Sequence, residues 1–381
     1  MVALDTVWPA DSIEFCPHES ASEIFVCGTY RLEQPPADSD ARVQTALDDG
    51  KGDFEPTTRK QSQVRRGKCL VLQVTEDREI SQIQEISLPA VLDQKWCHTS
   101  QTASPVLGIA DSEGNITLHE WHKEERRLKS FQSVSCAPSN VLCLSLDWST
   151  RRYPTNSYGS LVVSLSSGSL CVLNPDSTGN LAVVNQWHAH DYEPWIAAWN
   201  YWDTSIVYSG GDDLTMKGWD VRQNFDQPIF TNKRHVIIST YFVYFSYPRR
   251  FNAGVTTIQS HPHIEYLIAV GSYDNNVCIF DTRKPLVPLV QGDVGGGAWR
   301  VKWHPSPSRK EDLLVASMHD GFKVAKAHHR EDVTWEIVKR FDDHKSLAYG
   351  ADWSFAPPGA DGETLIASCS FYDHTLHLWN G

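Results

Sequence analysis

Apolar and polar residues alternate along this chain in short bursts, and the bursts are divided by Gly, Asp, Asn and Pro. The stretch "IVYSGGDDLTMKGWDVR" (206–222) reads as strand, tight turn and strand, and "IAVGSYDNNVCIFDTR" (268–283) repeats it. Asp213 and Asp220 are spaced like Asp274 and Asp281, and Arg222 and Arg283 each follow two places later. Weaker copies are "DSEGNITLHEW" (111–121), "SSGSLCVLNP" (166–175), "MHDGFKVAKA" (318–327) and "FYDHTLHLWN" (371–380). Upstream of most copies an apolar alternation closes on an aromatic residue, at Trp148, Trp199, Trp303 and Trp353. Self-similarity at this period marks a repeat architecture built from small antiparallel sheets.

A first copy assembled from "DSIEFCP" (11–17), "IFVCGTY" (24–30) and "GKCLVLQV" (67–74) brings the number of repeats to seven. The pattern resembles a WD-repeat β-propeller, so the expected fold is all-β, with seven four-stranded blades in a single domain over 1–381. The last copy stops at Gly381 after its third strand, and "VALDTVW" (2–8) is expected to complete that blade and close the ring. Two segments fall outside the repeat. Residues 35–66 are polar and read as a flexible loop in blade 1. Residues 236–251, "VIISTYFVYFSYPRRF", are apolar and aromatic and interrupt the link between blades 4 and 5; they are either a genuine loop or an accident of gene prediction.

A propeller gathers distant residues onto one rim. Four residues back from the aromatic that ends each inner strand lie Trp195, Trp299 and Tyr349, with Thr256 and Asp11 in weaker blades. The residue before each turn aspartate gives Asp212, Tyr273, His319 and Tyr372. The turn aspartates Asp213, Asp274 and Asp373 themselves are expected to cap backbone N–H groups. Trp199, Trp303 and Trp353 are expected to pack between blades.

Composition narrows the function. Fourteen Trp, thirteen Tyr and fourteen Phe with only three Met suit strands and turns. A net charge of −13 argues against a nucleic-acid partner. The nine Cys are scattered without a C-x-x-C pair, so reduced, mostly buried thiols are expected. The first residues lack a secretory pattern and no stretch is apolar and long enough to span a membrane, which points to a cytoplasmic protein, expected to be a monomer. No G-x-S-x-G elbow, H-E-x-x-H pair, P-loop or dinucleotide fingerprint occurs. The histidines show no ligand spacing, so neither a metal nor another cofactor is implied.

The strings "HDYEPWIAAWNYWDTSIVYSGGDD", "GGGAWRVKWHP", "MHDGFK", "YGADWS" and "CSFYDHTLHLW" resemble those of the WD-repeat diphthine methyl ester hydrolases of diphthamide biosynthesis, from about residue 139 to the end. The resemblance implies removal of a methyl ester from methylated diphthine on eukaryotic translation elongation factor 2, giving diphthine for a final amidation. Methylated diphthine carries a trimethylammonium group, and aromatic faces attract such a cation. Trp195, Trp299, Tyr349 and Tyr372 are the expected cage, with Tyr273 beside them. His319 is the expected base, oriented by Asp212 or Glu193; Arg300 is the expected oxyanion or carboxylate partner, and His374 and His344 stand in reserve. A covalent route through Ser209, Ser272 or Ser370 is less attractive, because second-strand hydroxyls commonly serve packing. The competing reading is a non-catalytic adaptor. "WDVR" and "FDTR" resemble the boxes through which substrate receptors of cullin-type ubiquitin ligases dock a ligase adaptor, here through Arg222 and Arg283. Either arginine can instead pair with its own blade's aspartate.

Overall fold

The computed structural model describes residues 2–33, 63–232, 251–328 and 334–381. Apart from two short 3-10 turns, at Glu19–Ala21 and Pro307–Arg309, every described element is a strand. The strands form seven antiparallel sheets, the seven expected blades; six have the expected four strands and the first has five, because Arg31–Glu33 adds a short strand beside residues 64–66. Each blade runs outward from a buried inner strand: Ala10–Phe15, Val91–Trp96, Cys143–Trp148, Ile196–Trp199, Val255–Ser260, Ala298–Trp303 and Ala348–Trp353. Blade 7 takes its outer strand from Val2–Asp5, which pairs with Thr375–Asn380 in the register Val2 to Leu378 and Asp5 to Thr375. Thr6 extends this seam through its N–H, which donates to the His374 carbonyl at 2.8 Å. The two ends of the described chain therefore close the ring.

What joins one blade to the next is a repeated pair of contacts at the inner strands. The side chain one place before the end of the inner strand accepts a backbone N–H from the following blade. Asp147 Oδ2 takes Trp199 N at 2.9 Å, Gln259 Oε1 takes Trp303 N at 2.6 Å, and Asp352 Oδ2 takes Phe15 N at 2.8 Å. The closing tryptophan then donates its indole N–H backwards: Trp96 to Glu14 O, Trp148 to Lys95 O, Trp199 to Asp147 O and Trp353 to Lys302 O, at 2.9 to 3.2 Å. Trp303 makes a longer contact of the same kind, 3.4 Å to Gln259 O. These indoles bury their faces in the apolar clusters between blades and satisfy a main-chain acceptor at the same time. The expected packing role of Trp199, Trp303 and Trp353 holds, with a hydrogen bond added to it.

The turn aspartates also do what the pattern predicts. Asp213 accepts Thr215 N, Asp274 accepts Asn276 N and Asp373 accepts Thr375 N. All nine cysteines are buried as free thiols. Arg222 and Arg283 fold back onto their own blades, on Asp220 and Asp281, with closest N–O separations of 2.7 and 2.6 Å. That is the intrablade alternative to a docking role. Most of the 35–66 segment lies outside the described residues; its last part does not, because a strand already starts at Val64 and runs to Val74, with Val64, Arg65 and Arg66 paired to Arg31–Glu33. Of 236–251 only Phe251 is described, buried beside Phe280.

Replacing Trp148 by Phe keeps a ring in the interface but leaves the Lys95 carbonyl without its donor. The expected loss is about 1 to 3 kcal/mol, read as a lower denaturation midpoint with an unchanged denaturant slope. An unaltered midpoint would show that the indole bond does not hold the blades.

Candidate functional site

One end of the central channel is shaped by a defect repeated in the strands. In blades 1, 2, 3, 5, 6 and 7 the pairing between inner and second strand slips near its start. The residues skipped are Asp11, Leu92, Leu144, Thr256, Trp299 and, with Gly350 beside it, Tyr349. A bulge of this kind turns a side chain out of the sheet's alternation and re-aims it; Trp299 and Tyr349 are re-aimed onto each other, whereas Thr256 is fully buried and its hydroxyl donates to Gly271 O and to Ala298 O of blade 6. Blade 4 reaches the same place without a slip, through Trp195 just ahead of Ile196–Trp199. Gly350 permits the closest approach of this kind, since a Cβ there would stand 2.7 Å from Ile13 N of blade 1.

Four of the expected rim aromatics form one continuous wall. Ring centroids lie 5.7 Å apart for Trp195 and Trp299, 5.9 Å for Tyr273 and Trp299, and 4.9 Å for Trp299 and Tyr349. The wall goes on through Phe371, 4.9 Å from Tyr349, to Tyr30 of blade 1, 6.2 Å further. Asp212 anchors one end by accepting the Trp195 indole N–H at 2.8 Å. The indole nitrogen of Trp299, by contrast, is buried and has no partner among the described residues. Burial pushes the hydroxyls of Tyr273 and Tyr349 above the usual phenol range, so both stay neutral donors.

Behind the wall the channel is filled with paired charges. Lys95 bridges Glu14 and Asp93, both at 2.8 Å, Lys302 bridges Glu14 at 2.6 Å and Asp352 at 3.0 Å, and Arg300 reaches Asp93 at 3.5 Å. Burial works against the Glu14 charge, but Lys302 and Lys95 outweigh it and bring its carboxyl down to about 2. Asp352 goes the other way, raised by burial to about 6. Arg300, 7% exposed, is the cation of this network nearest the wall, with its guanidinium 5.4 Å from the Trp299 ring centre.

The other expected residues stand around the wall rather than in it. His319 and Tyr372 line an adjoining cavity of about 620 Å³, with Arg340, Asp320, Lys345 and Leu347, at the junction of blades 6 and 7, and Tyr372 also meets the wall edge-on, its ring 4.9 Å from Phe371. His319 is exposed, and no hydrogen bond or ion pair among the described residues joins it to Asp212 or Glu193, so the expected orienting contact is not made. Glu193 is also exposed and contributes its carbonyl, which accepts Asp212 N. His374 sits in a turn with φ 56° and bonds the N-terminal strand through its carbonyl. His344 lines the cavity but is held inside blade 7, its Nε2 2.9 Å from Ser368 Oγ, and burial lowers its pKa to about 3, too low for a base near neutrality.

Turn length also differs from blade to blade. Counting back from the turn aspartate assumes equal turns. In blade 5 one residue, Tyr273, separates the second strand from Asp274, but in blade 6 both Met318 and His319 precede Asp320, and in blade 7 both Phe371 and Tyr372 precede Asp373. In blades 1, 5 and 7 the residue directly after the second strand, Tyr30, Tyr273 or Phe371, joins the wall, whereas in blade 4 Asp212 reaches it from one place further on.

The serine route also has a structural outcome. Ser209, His190 and Asp213 are connected like a nucleophile, base and orienting acid, with 2.7 Å from His190 Nε2 to Ser209 Oγ and 2.9 Å from Nδ1 to Asp213. Yet Ser209 and His190 are completely enclosed, and Ser209 Oγ also accepts the Trp219 indole at 2.9 Å. Blade 7 repeats the chain with His344, Ser368 and Trp379. A hydroxyl sealed inside a blade meets no ester, so this is a brace that ties turn to strands.

No protein-family model matches the chain. It is 38% identical to the diphthine methyltransferase of Mus musculus over 93% of this chain and 69% of that protein. It is 37% identical to the diphthine methyltransferase of Homo sapiens, over 92% and 74%. A diphthine methyltransferase homolog of Dictyostelium discoideum is 33% identical over 98% and 96%.

Ser209→Ala leaves the Trp219 and His190 rings without their shared partner. It is expected to cost about 1 to 3 kcal/mol of stability, read by chemical denaturation, while the folded variant keeps the chemistry of the rim. A variant of unchanged stability that has lost turnover would reverse the assignment and make Ser209 a nucleophile.

Proposed function

The chain belongs to the diphthine methyltransferase family, and from that premise we propose that it is an enzyme of diphthamide biosynthesis acting on translation elongation factor 2, from which it hydrolyses the methyl ester of methylated diphthine to leave diphthine and methanol. The observation that carries this reading is the aromatic wall of Trp195, Tyr273, Trp299, Tyr349 and Phe371 beside buried Arg300. A trimethylammonium ion has no N–H to donate, so what recognises it is a set of π-faces, worth about 0.5 to 2 kcal/mol each depending on desolvation. Methylated diphthine presents that cation beside a carboxylic ester. A site that takes the first against the wall brings the second toward the channel, where Arg300 is the positive group that meets a carbonyl gaining negative charge.

Enclosure favours the same chemistry. Charges taken out of water interact more strongly, and Arg300 is already fixed by Asp93, so little reorganisation accompanies the reaction. The acidic chain, with its net charge of −13, also suits a partner whose modified loop carries a fixed cation.

The relatives' name, diphthine methyltransferase, favours a second reading, in which a methyl group is transferred rather than removed. The adaptor reading has less behind it: Arg222 and Arg283 are bonded within their blades, and no relative's name suggests a ligase receptor. One experiment separates all three. Purified chain is incubated with elongation factor 2 bearing the methyl ester, and the modified peptide is weighed. Hydrolysis predicts loss of one methyl group without any added donor. Methyl transfer predicts a gain on unmethylated diphthine that needs a donor, and an adaptor leaves both masses unchanged. Trp299→Leu, which opens the middle of the wall, is expected to raise KM about tenfold, the equivalent of about 1.4 kcal/mol.

A further inference from the structure

We infer that Asp11 is the general base of the ester hydrolysis, removing the proton from the attacking water beside Arg300. The inference rests on the hydrolytic reading above and adds the group that reading leaves unnamed.

Three observations converge on Asp11. It is the residue skipped where the register of blade 1 slips between Ala10 and Ser12, the position that Trp299 and Tyr349 hold in the two preceding blades. Among the residues re-aimed in this way, it is the only acid; the others are Leu92, Leu144, Thr256, Trp299 and Tyr349. It is also unclaimed. Glu14, Asp93 and Asp352 are each held by Lys95 or Lys302, whereas no hydrogen bond or ion pair among the described residues reaches the Asp11 carboxyl, which is 7% exposed. A nearly buried carboxylate without a partner is costly to a scaffold and useful only where something else completes it.

Its electrostatic surroundings suit the task. Burial raises its pKa to about 7; Arg300 pulls it back, Asp93 pushes it up and Lys95 lowers it again. Tyr349 and Tyr273 face the same space and feel the Asp11 charge, and burial keeps both hydroxyls neutral. Glu14, on its own strand, is neutralised by Lys95 and Lys302 further along the channel. A carboxyl near neutrality both accepts a proton and gives it up, which is the condition for efficient general acid–base catalysis. His319 is exposed on the next cavity, and no hydrogen bond or ion pair among the described residues joins it to an orienting group.

The step balances without any further reagent. Water loses a proton to the Asp11 carboxylate as its oxygen bonds the ester carbon, and the carbonyl electrons move onto oxygen beside Arg300. The tetrahedral centre then expels the methoxy group, which takes the proton from Asp11 and leaves as methanol. The product is the diphthine carboxylic acid, which ionises to water, and Asp11 is again a carboxylate.

The test measures turnover of the methyl ester on elongation factor 2 by mass spectrometry, on either side of the Asp11 pKa. Wild type should show an acidic limb with a midpoint at about 7, since only the ionised carboxylate accepts the proton. Asp11→Asn should lower kcat about 100-fold or more with KM nearly unchanged, and abolish that limb. Asp11→Glu should restore part of the turnover. A folded Asp11→Asn protein with wild-type turnover, or with the limb intact, overturns the assignment, as does transfer of the limb's loss to His319→Ala. The titration of the Asp11 carboxyl in the unaltered protein, followed by carbon NMR, needs no variant to fold; an ordinary carboxylate midpoint there equally overturns it. A wild-type protein that leaves the ester intact removes the hydrolytic reading itself, and Asp11's role with it.

Discussion

The interaction on which everything else depends is the clasp between successive inner strands. A side chain such as Asp147, Gln259 or Asp352 accepts the next blade's backbone N–H, and a closing tryptophan donates back. Each clasp fixes the angle between two sheets. Because Phe15 N returns to Asp352, the angles must sum to a closed ring. Closure is also what makes the channel tolerable as a place for charge. Lys95 pairs with Asp93 on its own strand, but its pair with Glu14, the two pairs of Lys302 and the pair of Arg300 with Asp93 all join different blades and are made only when those blades are assembled around the channel. Breaking one member of such a set leaves a buried charge unpaired, which is more damaging than the pair itself is stabilising.

On that frame the repeated elements make walls and the irregular ones make the site. Turn aspartates, serine–histidine braces and closing tryptophans recur from blade to blade and are consumed by structure. The slip at the start of the inner strands also recurs, but what it presents varies: leucine in blades 2 and 3, threonine in blade 5, aromatics in blades 6 and 7, and an acid in blade 1. Chemistry is therefore concentrated where the clasp leaves a side chain unneeded. Ser209 and Asp11 make the contrast clear. The serine has the connectivity of a nucleophile and no access to solvent, while the acid has no hydrogen-bond or ion-pair partner among the described residues and lies close to Tyr273 and Tyr349 of the wall.

Much of this was legible in the chain because it depends on periodic signals. Seven copies of strand, turn and strand, with Trp148, Trp199, Trp303 and Trp353 at fixed offsets, specify the blades and the closing strand at Val2–Asp5. The four-residue offset also located Trp195, Trp299 and Tyr349, since a conserved geometry within the repeat places one residue per blade at the mouth. Counting back from the turn aspartate is less exact, because the number of residues between second strand and aspartate varies: it reaches His319 and Tyr372, which line the neighbouring cavity, and passes over Phe371. Tyr30 was out of reach for a related reason, because blade 1 has no turn aspartate after its second strand to count from. Asp11 was placed correctly and its significance missed. An acid's pKa depends on who surrounds it, and Arg300, Asp93 and Lys95 become its neighbours only in three dimensions.

The central claim is that the wall selects a fixed positive charge, not merely bulk. It is tested most directly by titrating the protein with a small trimethylammonium methyl ester and with its neutral isostere, in which carbon replaces the quaternary nitrogen, while following the indole resonances of Trp195 and Trp299. The account predicts that the cation shifts both resonances and binds at least several-fold more tightly than the isostere, in keeping with cation–π contacts of about 0.5 to 2 kcal/mol each. Equal binding of the two compounds, or shifts confined to residues around His319, would contradict it.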